Sequence, residues 1–189
     1  MHARRVNGYP GHLDVTKLQS VWLLILAFLA GCFMRLYRIA YQVVIDDEWH
    51  ALNAVQYHDV GWILTHFGTS DHSIPLALLY ELQSHLTGLS EVLLRWPMLL
   101  AGCAALLVLP HMLRHWLDRP ERLMLAGLLA ISPLLIYFSR FARPYSVLML
   151  LEPVALLLAW RWWNTQQARY AAGWVLLAAL CAWLNTPAL

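Results

Sequence analysis

Charge is scarce in this sequence. Asp, Glu, Lys and Arg make up 13% of its 189 residues, where an ordinary soluble domain carries about 25%. Lysine is nearly missing: Lys17 stands alone, and arginine supplies the other positive charges. With a net charge of +2 and arginines scattered among apolar runs, the chain has no basic face for nucleic acid. Cysteine is limited to Cys32, Cys103 and Cys181. All three lie in apolar segments without metal-ligand spacing or an obvious pairing, which reads as small buried hydrophobes. Internal repeats and low-complexity tracts are absent too, and the length leaves no room for a soluble catalytic domain beside the apolar segments.

What fills the chain instead is hydrocarbon: 60% hydrophobic residues and a mean hydropathy of +0.54. At about 20 residues per membrane span, roughly five spans fit. The expectation is an all-α membrane protein, a multi-span transmembrane helical bundle with a periplasmic first loop carrying short interfacial helices. Residues 1–17 form a cytoplasmic tail; spans fall at about 18–39, 96–113, 123–138, 145–160 and 170–184; an outer loop occupies about 40–95. Arg35 and Arg38 at the end of the first span snorkel to the interface. The first apolar run lacks a convincing small-residue cleavage site and reads as a retained anchor. Residues 75–87 are short, with Glu81, Ser84 and His85 on one face, so they lie in the interface rather than cross it. Keeping them outside puts both connecting loops, Arg114–Arg122 and Arg161–Arg169, on the same side as the tail, as the positive-inside rule asks.

Acids are also few, 11 in all, yet Asp46, Asp47 and Glu48 are consecutive and are followed by Trp49 and His50. Asp46 is explained as a helix cap. Asp47 and Glu48, at the membrane edge, call for a chemical role. On the same outer side stand Arg95, Arg140 and Arg143. Carboxylates beside arginines at a membrane surface suit transfer of a group from a lipid phosphate to a hydroxyl: an acid takes the acceptor's proton and arginine forks neutralise the departing phosphate.

Four segments then carry a resemblance: Asp47-Glu48 after the first span, Thr69-Ser70-Asp71-His72-Ser73-Ile74-Pro75-Leu76, Leu94-Arg95-Trp96-Pro97, and Ser139-Arg140-Phe141-Ala142-Arg143-Pro144-Tyr145. In this order and spacing the chain resembles, from about residue 20 onward, the bacterial GT-C glycosyltransferases related to protein O-mannosyltransferases and the lipid A aminoarabinose transferase. The resemblance implies an inner-membrane enzyme moving a sugar from a polyprenyl-phosphate donor to an outer-face glycan, lipid or protein acceptor, of which this chain is the N-terminal part. It implies Asp47 as catalytic base with Glu48 beside it in the acceptor or metal site, Arg95 and Arg143 on the donor phosphate, and Asp71 with His72 on the acceptor or a divalent metal. The chain departs from the family where Ser73 and Ile74 replace the usual His and first Pro, leaving His72 displaced by one position.

The plainer alternatives are specific. Arg140 snorkels, as Arg95 and Arg143 can. His50 and His58 lack the spacing of a metal site; His85 pairs with Glu81 one turn away; Glu152, within the fourth span, pairs with a neighbouring helix. Most of the tryptophans are interface anchors, Trp49 and Trp62 being the exceptions. A transporter fragment would use the same acids to capture cations, and a non-catalytic assembly subunit would use them to dock a partner.

Overall fold

A computed structural model describes residues 15–66 and 73–185. Within them every regular element is helical. The helices are α1 (Val15–Leu36), α2 (Trp49–Tyr57), α3 (Val60–Thr65), α4 (Ile74–Leu86), α5 (Glu91–Met112), α6 (Arg119–Ile131), α7 (Pro133–Ser139), α8 (Tyr145–Thr165) and α9 (Ala168–Leu184). Short 3₁₀ turns occupy Ile39–Tyr41, Asp46–Glu48 and Leu113–His115.

Local chemistry sets most of the boundaries. Asp59 Oδ1 accepts from Trp62 N at 2.9 Å and starts α3, and Ser90 Oγ accepts from Leu93 N at 3.3 Å to start α5. A capping box of Asp118 and Glu121 opens α6. These side chains satisfy amides that a first turn leaves without helical partners. Gly88, at φ +74°, turns the chain between α4 and α5 in the left-handed region where a side chain is disfavoured.

Three helical segments are long and apolar enough to cross a membrane: Leu18–Tyr41, Glu91–His115 and Tyr145–Thr165. The expected span at 123–138 is instead two helices, α6 and α7, bent by 58°. Pro133 explains the break, since it has no N–H to continue the helix and its ring disfavours the helical conformation in Ser132. Counting this pair as one span gives four; α9, at 17 residues, is shorter and apolar. Large apolar side chains point outward from α1, among them Trp22 and Leu26, each 62% exposed. In water such a face is costly; against lipid it is not. These features are consistent with an integral membrane protein.

α5 is the hub, packing against α1, α6, α7 and α8, while α8 and α9 form a hairpin. Small residues allow the close approaches. A Cβ on Gly102 would lie 2.1 Å from Ser139 Oγ, and one on Gly31 would lie 2.6 Å from Leu106 Cδ1 and 3.2 Å from Ala130 Cα, so glycine leaves room on α5 for the Ser139 side chain of α7 and lets α1 approach the α6 backbone closely.

Arg35 corrects the snorkelling expectation. It is wholly buried. Its Nη2 donates to Leu129 O at 3.1 Å, Nη1 to Gly31 O at 3.0 Å, and Nε to Ser139 Oγ at 3.1 Å. Leu129 is four residues before Pro133, so its carbonyl is the one the proline orphans. Arg35 turns inward because the broken helix offers acceptors that an unbroken span would have used internally.

Candidate functional site

The acid cluster divides at its centre. Glu48 is fully buried while the Asp47 side chain is half exposed. The 3₁₀ turn at Asp46–Glu48 directs them apart, so adjacent residues face different surroundings.

Glu48 meets Arg95, 47 positions on, and both are wholly buried. Arg95 Nε donates to Glu48 Oε1 at 3.1 Å and Nη2 to Oε2 at 2.8 Å, a paired fork. Nη2 also donates to Val43 O at 2.9 Å, and Nη1 donates to Gln42 O at 2.7 Å and Glu91 O at 3.3 Å. An arginine has five N–H donors, and these contacts use them all. The carboxylate is equally occupied: Ala142 N donates to Oε1 at 2.6 Å and Ile45 N to Oε2 at 3.0 Å. Glu48 and Arg95 therefore tie the first loop, the start of α5 and the turn before α8 into one unit. In this arrangement all five Arg95 donors and both Glu48 carboxylate oxygens are engaged within the chain.

Other polar residues brace the unit. Gln42 Nε2 donates to Arg140 O at 3.2 Å, and Tyr80 Oη donates to Leu94 O at 2.9 Å. Gln83 Nε2 donates to Leu93 O at 3.2 Å, the carbonyl that Pro97 leaves without a helical donor. Beneath them Ala51, Leu76, Tyr80, Leu94, Met98 and Ala142 form one apolar core. Gln42, Tyr80 and Gln83 had no sequence motif to mark them. The one available signal was Pro97, which advertises an orphan carbonyl but not its donor.

Asp47 projects from this frame. Its Oδ1 lies 3.4 Å from His50 Nε2. Arg143, 9% exposed, places Nη1 3.5 Å from the Asp47 carbonyl oxygen. Trp49, beside them in sequence and 49% exposed, contributes with Val44, Leu52, Gln56 and Glu91 to a groove of about 480 Å³.

The structure thus brings Asp47, Glu48, Arg95 and Arg143 together. Asp71 and His72 lie outside the described residues. Comparison with protein-family models, curated proteins and solved structures found no match. Among the described residues no three His, Cys, Asp or Glu side chains gather into a group able to hold a metal ion. His58 is stacked on Trp62 at 3.5 Å between ring centroids, and Trp62 in turn on His66 at 4.9 Å. His85 Nε2 meets Glu81 Oε1 at 3.1 Å, the pairing expected one turn apart. Glu152 is exposed on α8 and lies near enough to Cys181 of α9 to interact with it electrostatically.

Proposed function

We propose that this chain acts as a GT-C type glycosyltransferase that moves a sugar from a polyprenyl-phosphate donor to an acceptor at the outer face of the bacterial inner membrane. One observation carries the reading. The Glu48 carboxylate joins Asp47-Glu48, Leu94-Arg95 and Ala142-Arg143, three of the four segments on which the resemblance rests, and leaves the Asp47 side chain open beside it.

Asp47 acts as general base and removes the acceptor hydroxyl proton. The acceptor oxygen then bonds to the anomeric carbon as the bond from that carbon to the phosphate oxygen breaks, releasing polyprenyl phosphate with both electrons of the broken bond. His50, 3.4 Å from the Asp47 carboxylate, steadies it. Arg143 supplies positive charge to the leaving phosphate. Glu48 and Arg95 are positioning residues that fix the backbone on either side of Asp47 and Arg143. The groove beside Trp49 has a mainly aliphatic wall with Gln56, Ser84, Ser90 and Glu91 as its polar members, a surface on which a lipid-linked sugar or acceptor would rest.

The test is sugar transfer from a polyprenyl-phosphate sugar in membranes carrying the full-length protein. Asp47→Asn should lower the rate by about 10²-fold or more, the usual weight of a general base, while leaving thermal stability unchanged. Transfer at the wild-type rate in that variant would remove Asp47 from the chemistry and, with it, the proposal.

A further inference from the structure

The opposite end of α5 carries a second constellation, independent of the transfer chemistry proposed above. His111 lies 16 residues beyond Arg95 on the same helix, about 24 Å away at the helical rise. There a groove of about 430 Å³ runs between α1, α5 and α6, with Leu24, Leu106, Leu107, Pro110, His111 and Arg122 in its wall. Arg122 Nε is enclosed by protein and has no hydrogen-bond partner among the described residues. Arg122 as a whole is partly exposed, and its shielded Nε is a donor that an acceptor bound in the groove would satisfy.

The surroundings indicate its charge. Arg114, Arg119 and Arg122 form no salt bridge among the described residues. The two nearby acids are engaged elsewhere: Glu121 Oε2 accepts from Asp118 N at 2.8 Å, and the Asp118 side chain caps α6. Arg114 contacts the His111 ring, keeping a second cationic side chain at the rim. The rest of the wall is hydrocarbon, and Leu107 is 51% exposed. A basic rim over an exposed leucine wall has the polarity of a lipid molecule, headgroup at one end and chains along the other.

We propose that this groove binds an anionic phospholipid, its phosphate accepting from Arg122 beside His111 and its acyl chain lying along Leu24 and Leu107. Basic pockets between membrane helices take anionic headgroups in this way. With the Asp47 end outward, the groove falls in the inner leaflet, the side where the basic loops belong.

Lipid retention by the full chain in detergent, read by native mass spectrometry, tests the proposal. The probes are phosphatidylglycerol, phosphatidylcholine with the same acyl chains, and inorganic phosphate. Wild-type protein should retain phosphatidylglycerol in preference to phosphatidylcholine. Arg122→Gln should lower that retention by about five-fold, the factor for one arginine at a membrane phosphate, and Arg122→Lys should restore part of it. Leu107→Trp, which fills the groove and leaves every charge in place, should also lower it. Equal retention of both lipids, or Arg122→Gln retaining as much phosphatidylglycerol as wild type, overturns the proposal. Displacement of the lipid by millimolar inorganic phosphate overturns it as well, by reducing the site to an anion site. Should Arg122→Gln lose helix content by circular dichroism, Leu107→Trp decides, since unchanged retention there removes the groove as the binding place.

Discussion

Arg95→Met separates a support from a ligand-binding residue. The substitution keeps the length and apolar stem of the side chain and removes all five donors. Glu48 would keep only Ala142 N and Ile45 N as partners, and the Gln42 and Val43 carbonyls would lose theirs. Those carbonyls belong to a loop and can turn toward water; the Glu48 carboxylate, fully buried, cannot. Removing one partner of a buried ion pair destabilises by about 3–5 kcal/mol, which in a chain of this length lowers the melting temperature by roughly 6–20 °C. The assay is thermal unfolding in detergent, followed by size-exclusion chromatography with fluorescence detection. Glu48→Gln combined with Arg95→Met should recover part of the loss, because the charge stranded by the single change is gone, and the cycle should show coupling of about 1–3 kcal/mol. An Arg95→Met protein that melts like wild type but no longer transfers sugar would refute this reasoning and return Arg95 to the phosphate.

Three further outcomes follow from the same geometry. Gly102→Ala should destabilise by about 1–3 kcal/mol through overpacking against Ser139 and Arg35, whereas Gly127→Ala, whose Cβ meets nothing within 4 Å, should be neutral or slightly stabilising in the same melt. Gln83→Leu strands the Leu93 carbonyl and should cost about 1–3 kcal/mol. Asp47→Asn should leave the melt unchanged, since its side chain is half exposed and outside the Glu48–Arg95 unit, and should act on transfer alone.

Much of the helical framework was legible because its causes are local. Apolar runs of span length set where the helices form, and the caps that the structure shows at Asp59, Ser90 and Asp118–Glu121 act within a few residues of themselves. The same holds for Glu81 and His85, one turn apart on one helix. Asp46, Asp47 and Glu48 stood out by sequence alone as acids in a chain that has few.

What each charge does was decided by tertiary structure. Sequence treats Asp47 and Glu48 as equivalent neighbours and Arg95 and Arg143 as equivalent arginines. The fold buries Glu48 against an arginine 47 residues away and leaves the Asp47 side chain half exposed. Arg35 reads from hydropathy as an end-of-span residue reaching for the interface, yet it turns inward onto Leu129 O. Pro133 was visible in the sequence, but its consequence depended on α1 delivering a donor to the carbonyl it frees. Side-chain spacing reports which residues share a helix face. It carries no record of backbone carbonyls left open on a distant element, and in a low-dielectric interior those acceptors determine where an arginine comes to rest.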